Sequence, residues 1–282
     1  MDGETSPSDA RRPGAAEGAW RAGRRRPEAG AAGPGALQGA PPAAGPRAIL
    51  AVRHGESVAN AAFAVAEAAG AEDVGIDCRD ADLALTPLGR AQSAALGRRL
   101  AAHGADASVT AADGPPQSVW CSPYRRARET AAEILGAFDR AGLPRPPLRV
   151  DERLRDRELG VLEMLTATAV RRRHPEEHAR RKRLGELYYR PAGGESWADV
   201  ALRLRSLLRD LVAEEPGRRV LLVGHDAVVI LLRYVLEGLD ESALPPDGSP
   251  DRPANASLTR WTRGPDGTLR LEAYNLTDHL EL

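Results

Sequence analysis

Several short runs of the chain are apolar without interruption. Ala48-Ile49-Leu50-Ala51-Val52 and Val220-Leu221-Leu222-Val223 each read as a parallel strand buried on both faces. Gln117-Ser118-Val119-Trp120-Cys121 is a shorter third candidate. Helical segments lie between them. Thr86-Pro87 supplies an N-cap followed by a first-turn proline, and Gly104 is placed to close that helix. Ser122-Pro123 repeats the start signal. Ser196 with Asp199 resembles a capping box with Asp in place of Glu. The helix after it carries Trp197, Val200, Leu204, Leu207, Leu208 and Leu211 on one face. Near the C-terminus, Ser257–Thr262 and Thr268–Tyr274 alternate on either side of Gly264-Pro265-Asp266-Gly267 and predict a hairpin. Strands alternating with helices predict an α/β fold: a three-layer α/β/α sandwich with a mostly parallel central sheet.

Composition divides the chain of 282 residues in two. Residues 1–46 are dominated by Ala, Gly, Pro and Arg, and their only large apolar residues are Met1, Trp20 and Leu37. Such a segment buries too little surface to offset the entropy of ordering it, which predicts a disordered tail. Residues 47–282 then form one domain, long enough for a sizeable core. The arginine pair Arg11-Arg12 is not followed by the apolar run that a twin-arginine export signal needs. No stretch of about twenty apolar residues occurs, so no membrane span is expected. The formal net charge of −1 argues against a dedicated nucleic-acid binder. Cys78 and Cys121 lack CxxC spacing, which suits a reducing, cytoplasmic setting and gives no cysteine-based zinc site. Nothing in the sequence specifies an oligomeric state.

Candidate chemistry gathers at strand ends. The first strand runs into Arg53-His54-Gly55 and the later one into Gly224-His225-Asp226. In open α/β sheets, ligands bind beyond the carboxyl ends of strands, so both histidines belong on the ligand-binding edge. Arg53 directly after a buried strand is suited to clamp an anion, because a guanidinium matches phosphate oxygens with two prongs. Arg125 and Arg126 fall in the first turn of the helix begun by Ser122-Pro123. Cations there oppose the helix dipole at a cost of ~0.3–1 kcal/mol each, and a bound anion would reverse that cost.

These residues resemble those of a known family. Arg53-His54-Gly55-Glu56-Ser57-Val58-Ala59-Asn60 is similar to the RHGExxxN signature of the histidine phosphatase superfamily, whose fold is that of the phosphoglycerate mutases. Ser122–Thr130 resembles its SxxxRAxxT segment, Leu154–Gly160 its LxExxxG segment, and Gly224-His225-Asp226 its Ser-His-Gly. The resemblance runs from about Arg47 to the C-terminus. It implies hydrolysis of phosphate monoesters through a phosphohistidine on His54. His225 joins it in catalysis, and Arg53, Asn60 and Arg126 bind the phosphate. It also implies no metal or other cofactor, since phosphoryl transfer can be carried by positioning and positive charge alone. The expected partner is a small phosphorylated substrate.

The sequence departs from the pattern twice. Asp156 stands where the family's proton-donating Glu is usual, and Glu158, two residues on, faces the same way in an extended segment. Asp156 is the assigned donor and Glu158 the alternative. Asp226 replaces Gly and is expected chiefly to cap the following helix. The basic segment 171–183 admits two readings: a solvated helix with Glu176–Arg180 and Glu177–Arg181 pairs, or a substrate-contacting cover. A mutase that retains the phosphoryl group is the alternative activity, and a non-catalytic module that binds phosphorylated ligands is the alternative from another class.

Overall fold

A computed structural model describes residues 45–105, 114–246 and 249–280. The disordered tail expected over residues 1–46 therefore falls, up to residue 44, outside the described residues. Gly45 and Pro46 belong to the fold: the Gly45 carbonyl accepts from Gly217 N at 2.9 Å, and the Pro46 carbonyl accepts from Arg263 Nε at 2.8 Å.

Six strands form one sheet among the described residues. In chain order they are β1 Ala48–Arg53, β2 Ser118–Cys121, β3 Leu148–Val150, β4 Arg219–Gly224, β5 Leu258–Arg263 and β6 Leu269–Leu276, and their spatial order is β3-β2-β4-β1-β5-β6. The first four are mutually parallel, and the β5–β6 hairpin adds an antiparallel edge. The helices are α1 Val58–Ala68, α2 Pro87–Ala105, α3 Arg125–Arg140, α4 Ala167–Arg173, α5 Pro175–Tyr188, α6 Trp197–Glu214 and α7 Asp226–Glu237. The sandwich is as expected, and the period-two alternation of strands explains its two cores. Ile49, Ala51, Trp120, Val220, Leu222 and Trp261 pack with α6 and α7. Ala48, Leu50, Val52, Val119, Cys121, Leu221 and Val223 pack with α2 and α3.

Local differences have local causes. Strand β3 went unread because it is three residues long, Leu148-Arg149-Val150, too short to set up a periodic pattern. Helix α3 starts two residues later than Ser122-Pro123 suggests, with Tyr124 at the N-cap; the Ser122 hydroxyl accepts from Tyr124 N at 3.2 Å and also pairs with His225 Nε2 at 2.9 Å. The capping box of Ser196 and Asp199 forms as read. In the basic segment, Arg180 and Arg181 have carboxylate partners beyond those that i,i+4 spacing suggests. Arg181 reaches Glu186 at 2.7 Å, Arg180 lies 3.7 Å from Glu177, and Arg173 crosses to Glu72 at 2.8 Å. Gly185, at φ 76°, breaks the helical path, which redirects the side chains around it.

Candidate active site

Register places the two histidines together. Parallel β1 and β4 end level, with Arg53 opposite Gly224, and His54 N donates to the Gly224 carbonyl at 2.9 Å. The next residue of each strand is a histidine, and the ring centroids are 5.2 Å apart. Gly55 then turns the chain away. A Cβ at Gly55 would collide with the Gly89 carbonyl, and one at Gly89 with Glu56 backbone, so both positions need the bare backbone. Thr130, one turn after Arg126, donates to the Arg126 carbonyl at 2.8 Å and accepts from Gly55 N at 3.0 Å. It thereby ties α3 to the His54 loop.

His54 is held in one tautomer. Its Nδ1 donates to its neighbour's carbonyl, Gly55 O, at 2.7 Å, and Arg126 Nε–H donates to Nε2 at 3.1 Å. A donor aimed at Nε2 requires a lone pair there. Burial drives the His54 pKa well below the ordinary imidazole value, and the charges of Arg126, His225 and Arg53 lower it further against the Gly55 carbonyl. His225 is fully buried behind it. Its Nε2 pairs with Ser122 Oγ at 2.9 Å, and Nδ1 stands 3.2 Å from Asp156 Oδ2.

A cleft of about 250 Å³ opens over these groups, and Arg53, His54, Asn60, Arg126 and Asp156 all line it. Five of the six expected site residues thus share one wall, with His225 beneath them. Arg53 Nη1 donates to Pro253 O at 2.7 Å, while its buried Nε has no partner among the described residues. Asn60 Oδ1 accepts from Ser57 N, Ser57 Oγ and Asn255 Nδ2, each within 3.1 Å, which leaves the amide hydrogens of Asn60 for a ligand. Arg126 is 3% exposed, whereas Arg125 makes a surface pair with Glu129 at 2.9 Å. Of the two first-turn arginines, only Arg126 enters the site.

Burial tends to raise the Asp156 pKa, but His225, Arg126 and His54 outweigh it and hold the carboxyl well below the usual carboxylate range. Glu158, the alternative donor, lies at the surface with Arg155 at 3.0 Å and does not line the cleft. Asp226 stands one residue inside the helix, after His225 at the N-cap position: its Oδ1 accepts from Ala227 N of the first turn at 2.7 Å, and its Oδ2 binds Arg252 at 2.7 Å on the cleft wall. None of residues 171–183 lines the cleft, so the substrate-contact reading of that segment finds no support. His279 is half-buried against the Ala256 carbonyl at 2.9 Å.

Sequence reading missed Asp80, Asn255, Arg252 and Glu195. Asp80 gives its carboxylate to Arg126 at 2.8 Å, and Asn255 Nδ2 donates to the His54 carbonyl at 3.1 Å. Glu195 bridges Arg155 at 2.6 Å and Arg203 at 3.0 Å, and Arg203 donates to the Asp156 carbonyl at 3.1 Å. The Gly-Gly-Glu-Ser segment therefore braces the loop that carries Asp156. No group of three or more His, Cys, Asp or Glu suited to holding a metal ion occurs among the described residues. Nor is any of their helices long and apolar enough to cross a membrane.

A buried pair of histidines at the ends of adjacent parallel strands, with two arginines and a carboxyl over them, is an arrangement for phosphate chemistry. Residues 49–277 match the histidine phosphatase superfamily, branch 1. The chain belongs to this superfamily. It is 32% identical over 197 residues to the glucosyl-3-phosphoglycerate phosphatase of Mycobacterium tuberculosis, covering 66% of this chain and 78% of that one. It is 30% identical over 203 residues to a 2,3-bisphosphoglycerate-dependent phosphoglycerate mutase of Methylobacterium, covering 71% of this chain and 85% of that one. Among solved structures, that of the native mycobacterial glucosyl-3-phosphoglycerate phosphatase superposes with a TM-score of 0.59 at 29% identity, over 82% of this chain and 99% of that one.

Proposed function

We propose that this superfamily member hydrolyses phosphate monoesters through a phosphohistidine on His54. The observation that carries the reading is the unprotonated Nε2 of His54, facing a cleft whose wall also presents Arg53, Arg126 and Asn60. Nε2 attacks phosphorus while the ester oxygen departs on the opposite side. Arg53, Arg126 and the Asn60 amide hold the equatorial oxygens, and buried His225 adds to the positive surround. Asp156 supplies the proton to the leaving alkoxide. Its low pKa comes from cations that an incoming phosphate dianion would neutralise, so substrate binding itself raises the carboxyl toward the protonated form. In the second half-reaction the Asp156 carboxylate takes a proton from water, water oxygen bonds to phosphorus, and the P–N bond to His54 breaks. No step calls on a metal ion.

The substrate is a small phosphorylated metabolite, and free Cys78 and Cys121 fit a reducing cytoplasm. The substrate named for the mycobacterial relative, a glucosylated 3-phosphoglycerate, is the first compound to assay. The mutase alternative rests on the Methylobacterium relative. Rapid quench with labelled aryl phosphate in the presence of a chelator should trap an acid-labile, base-stable phosphoenzyme in the wild type and none in His54→Ala. Undiminished turnover in His54→Ala would overturn the mechanism. Fast conversion of 3-phosphoglycerate to 2-phosphoglycerate with little free phosphate would replace hydrolysis by mutase action.

A further inference from the structure

A guanidinium has five N–H donors. In Arg126 each of the five already points at an acceptor within the protein. Nε donates to His54 Nε2 at 3.1 Å. Nη1 donates to the Asp80 carbonyl at 2.7 Å and to Asp80 Oδ1 at 2.9 Å. Nη2 donates to Asp80 Oδ2 at 2.8 Å and to Asp156 Oδ2 at 2.9 Å. Asp80 alone takes three of the five, and its two carboxylate oxygens grip the two terminal nitrogens as a fork. That is the geometry in which a guanidinium would bind two oxygens of a phosphate.

We propose that Asp80 is a positioning residue that exchanges with phosphate on Arg126, acting as a built-in competitor that weakens phosphate binding and speeds product release. The proposal rests on Arg126 being the phosphate clamp of the reading above. A phosphate cannot gain the Arg126 fork without displacing a carboxylate. Asp80 is the carboxylate that can leave: it lines the open cleft in the short turn Asp80–Asp82, and both its carboxylate oxygens are held by Arg126, so a rotation delivers it to water. Asp156 is similarly exposed but is pinned: its Oδ1 accepts from Arg157 N at 2.8 Å, its Oδ2 lies 3.2 Å from His225 Nδ1, and Arg203 holds its backbone carbonyl. After hydrolysis the returning Asp80 carboxylate competes with inorganic phosphate for the same donors. Weakening a contact that ester and product share raises KM and relieves product inhibition without lowering the stabilisation of the transition state once the substrate is bound.

The test is the affinity for inorganic phosphate, measured by calorimetry on wild type, Asp80→Asn and Asp80→Ser. Charge-assisted hydrogen bonds are strong enough that losing the competitor should tighten phosphate binding by about tenfold. KM for an aryl phosphate should fall in parallel, and phosphate should raise the melting temperature of the variants more than that of the wild type. Weaker phosphate binding in both variants would show that Asp80 is a fixed support that aims Arg126, and would overturn the proposal. Unchanged binding, or none in any of the three proteins, would overturn it as well. Calorimetry needs no turnover, so failure of the phosphohistidine mechanism and failure of this inference are read separately.

Discussion

Arg126 Nε donates to His54 Nε2 across 3.1 Å, which joins the proposed nucleophile to the proposed phosphate clamp by a single hydrogen bond. The contact keeps a lone pair on Nε2 and sets a cation against protonation of the ring. Attack on phosphorus must break it, and the guanidinium then turns its donors to the phosphoryl oxygens.

The titration of His54 should report this contact. Burial first, and then Arg126, depress its pKa, so nitrogen-15 NMR should place the wild-type midpoint well below 6.5. Arg126→Gln removes the second of these causes and should move the midpoint upward while slowing turnover by roughly 10²–10³-fold. A wild-type midpoint at or above 6.5 would contradict the arrangement. The sign for stability follows. The unfolded chain takes a proton on this ring below about pH 6.5 and the folded one does not, so stability is present above that pH and falls as the pH drops below it.

Asp156 and Glu158 should separate by leaving group. Asp156→Asn should slow an alkyl phosphate by roughly 10²–10⁴-fold and an aryl phosphate, whose leaving group needs less protonation, by far less. Glu158→Gln should be close to wild type, because Glu158 occupies an exposed pair with Arg155. Greater damage from the Glu158 change would reassign the acid.

Truncation should distinguish the tail from the fold. A chain starting at Gly45 keeps the bonds from Gly217 N and Arg263 Nε and should retain kcat/KM on a small aryl phosphate. A chain starting at Ala48 loses both, together with the Arg47 N bond to the Arg218 carbonyl, and should melt at a lower temperature with its kinetics preserved. A large loss of kcat/KM in the first of these would assign residues 1–44 a part in catalysis.

Much of the molecule was legible before any coordinates. Buried parallel strands advertise themselves as unbroken apolar runs, and β1 and β4 were found within a residue or so of their ends. The hairpin β5–β6 was announced by its Gly-Pro-Asp-Gly turn, and α6 by its capping box and one-sided leucines. Arg53, His54, Asn60, Arg126 and Asp156 are legible because they fall in short motifs of fixed spacing, whereas Asp80 and Arg252 on the same cleft carry no such signal.

Pairings between distant segments were decided by tertiary structure alone. Arg126 meets Asp80 across 46 residues and Asn60 meets Asn255 across 195, and no local spacing encodes either contact. The basic segment looked like a candidate cover because charge is visible in sequence, but where a helix faces is set by which side it buries. Sequence determined the strands, the helices and the chemistry each can carry, since these follow from local periodicity and residue type. Which carboxylate neutralises which cation depended on sheet register and loop path, because an ion pair is fixed by a few ångströms in space rather than by distance along the chain.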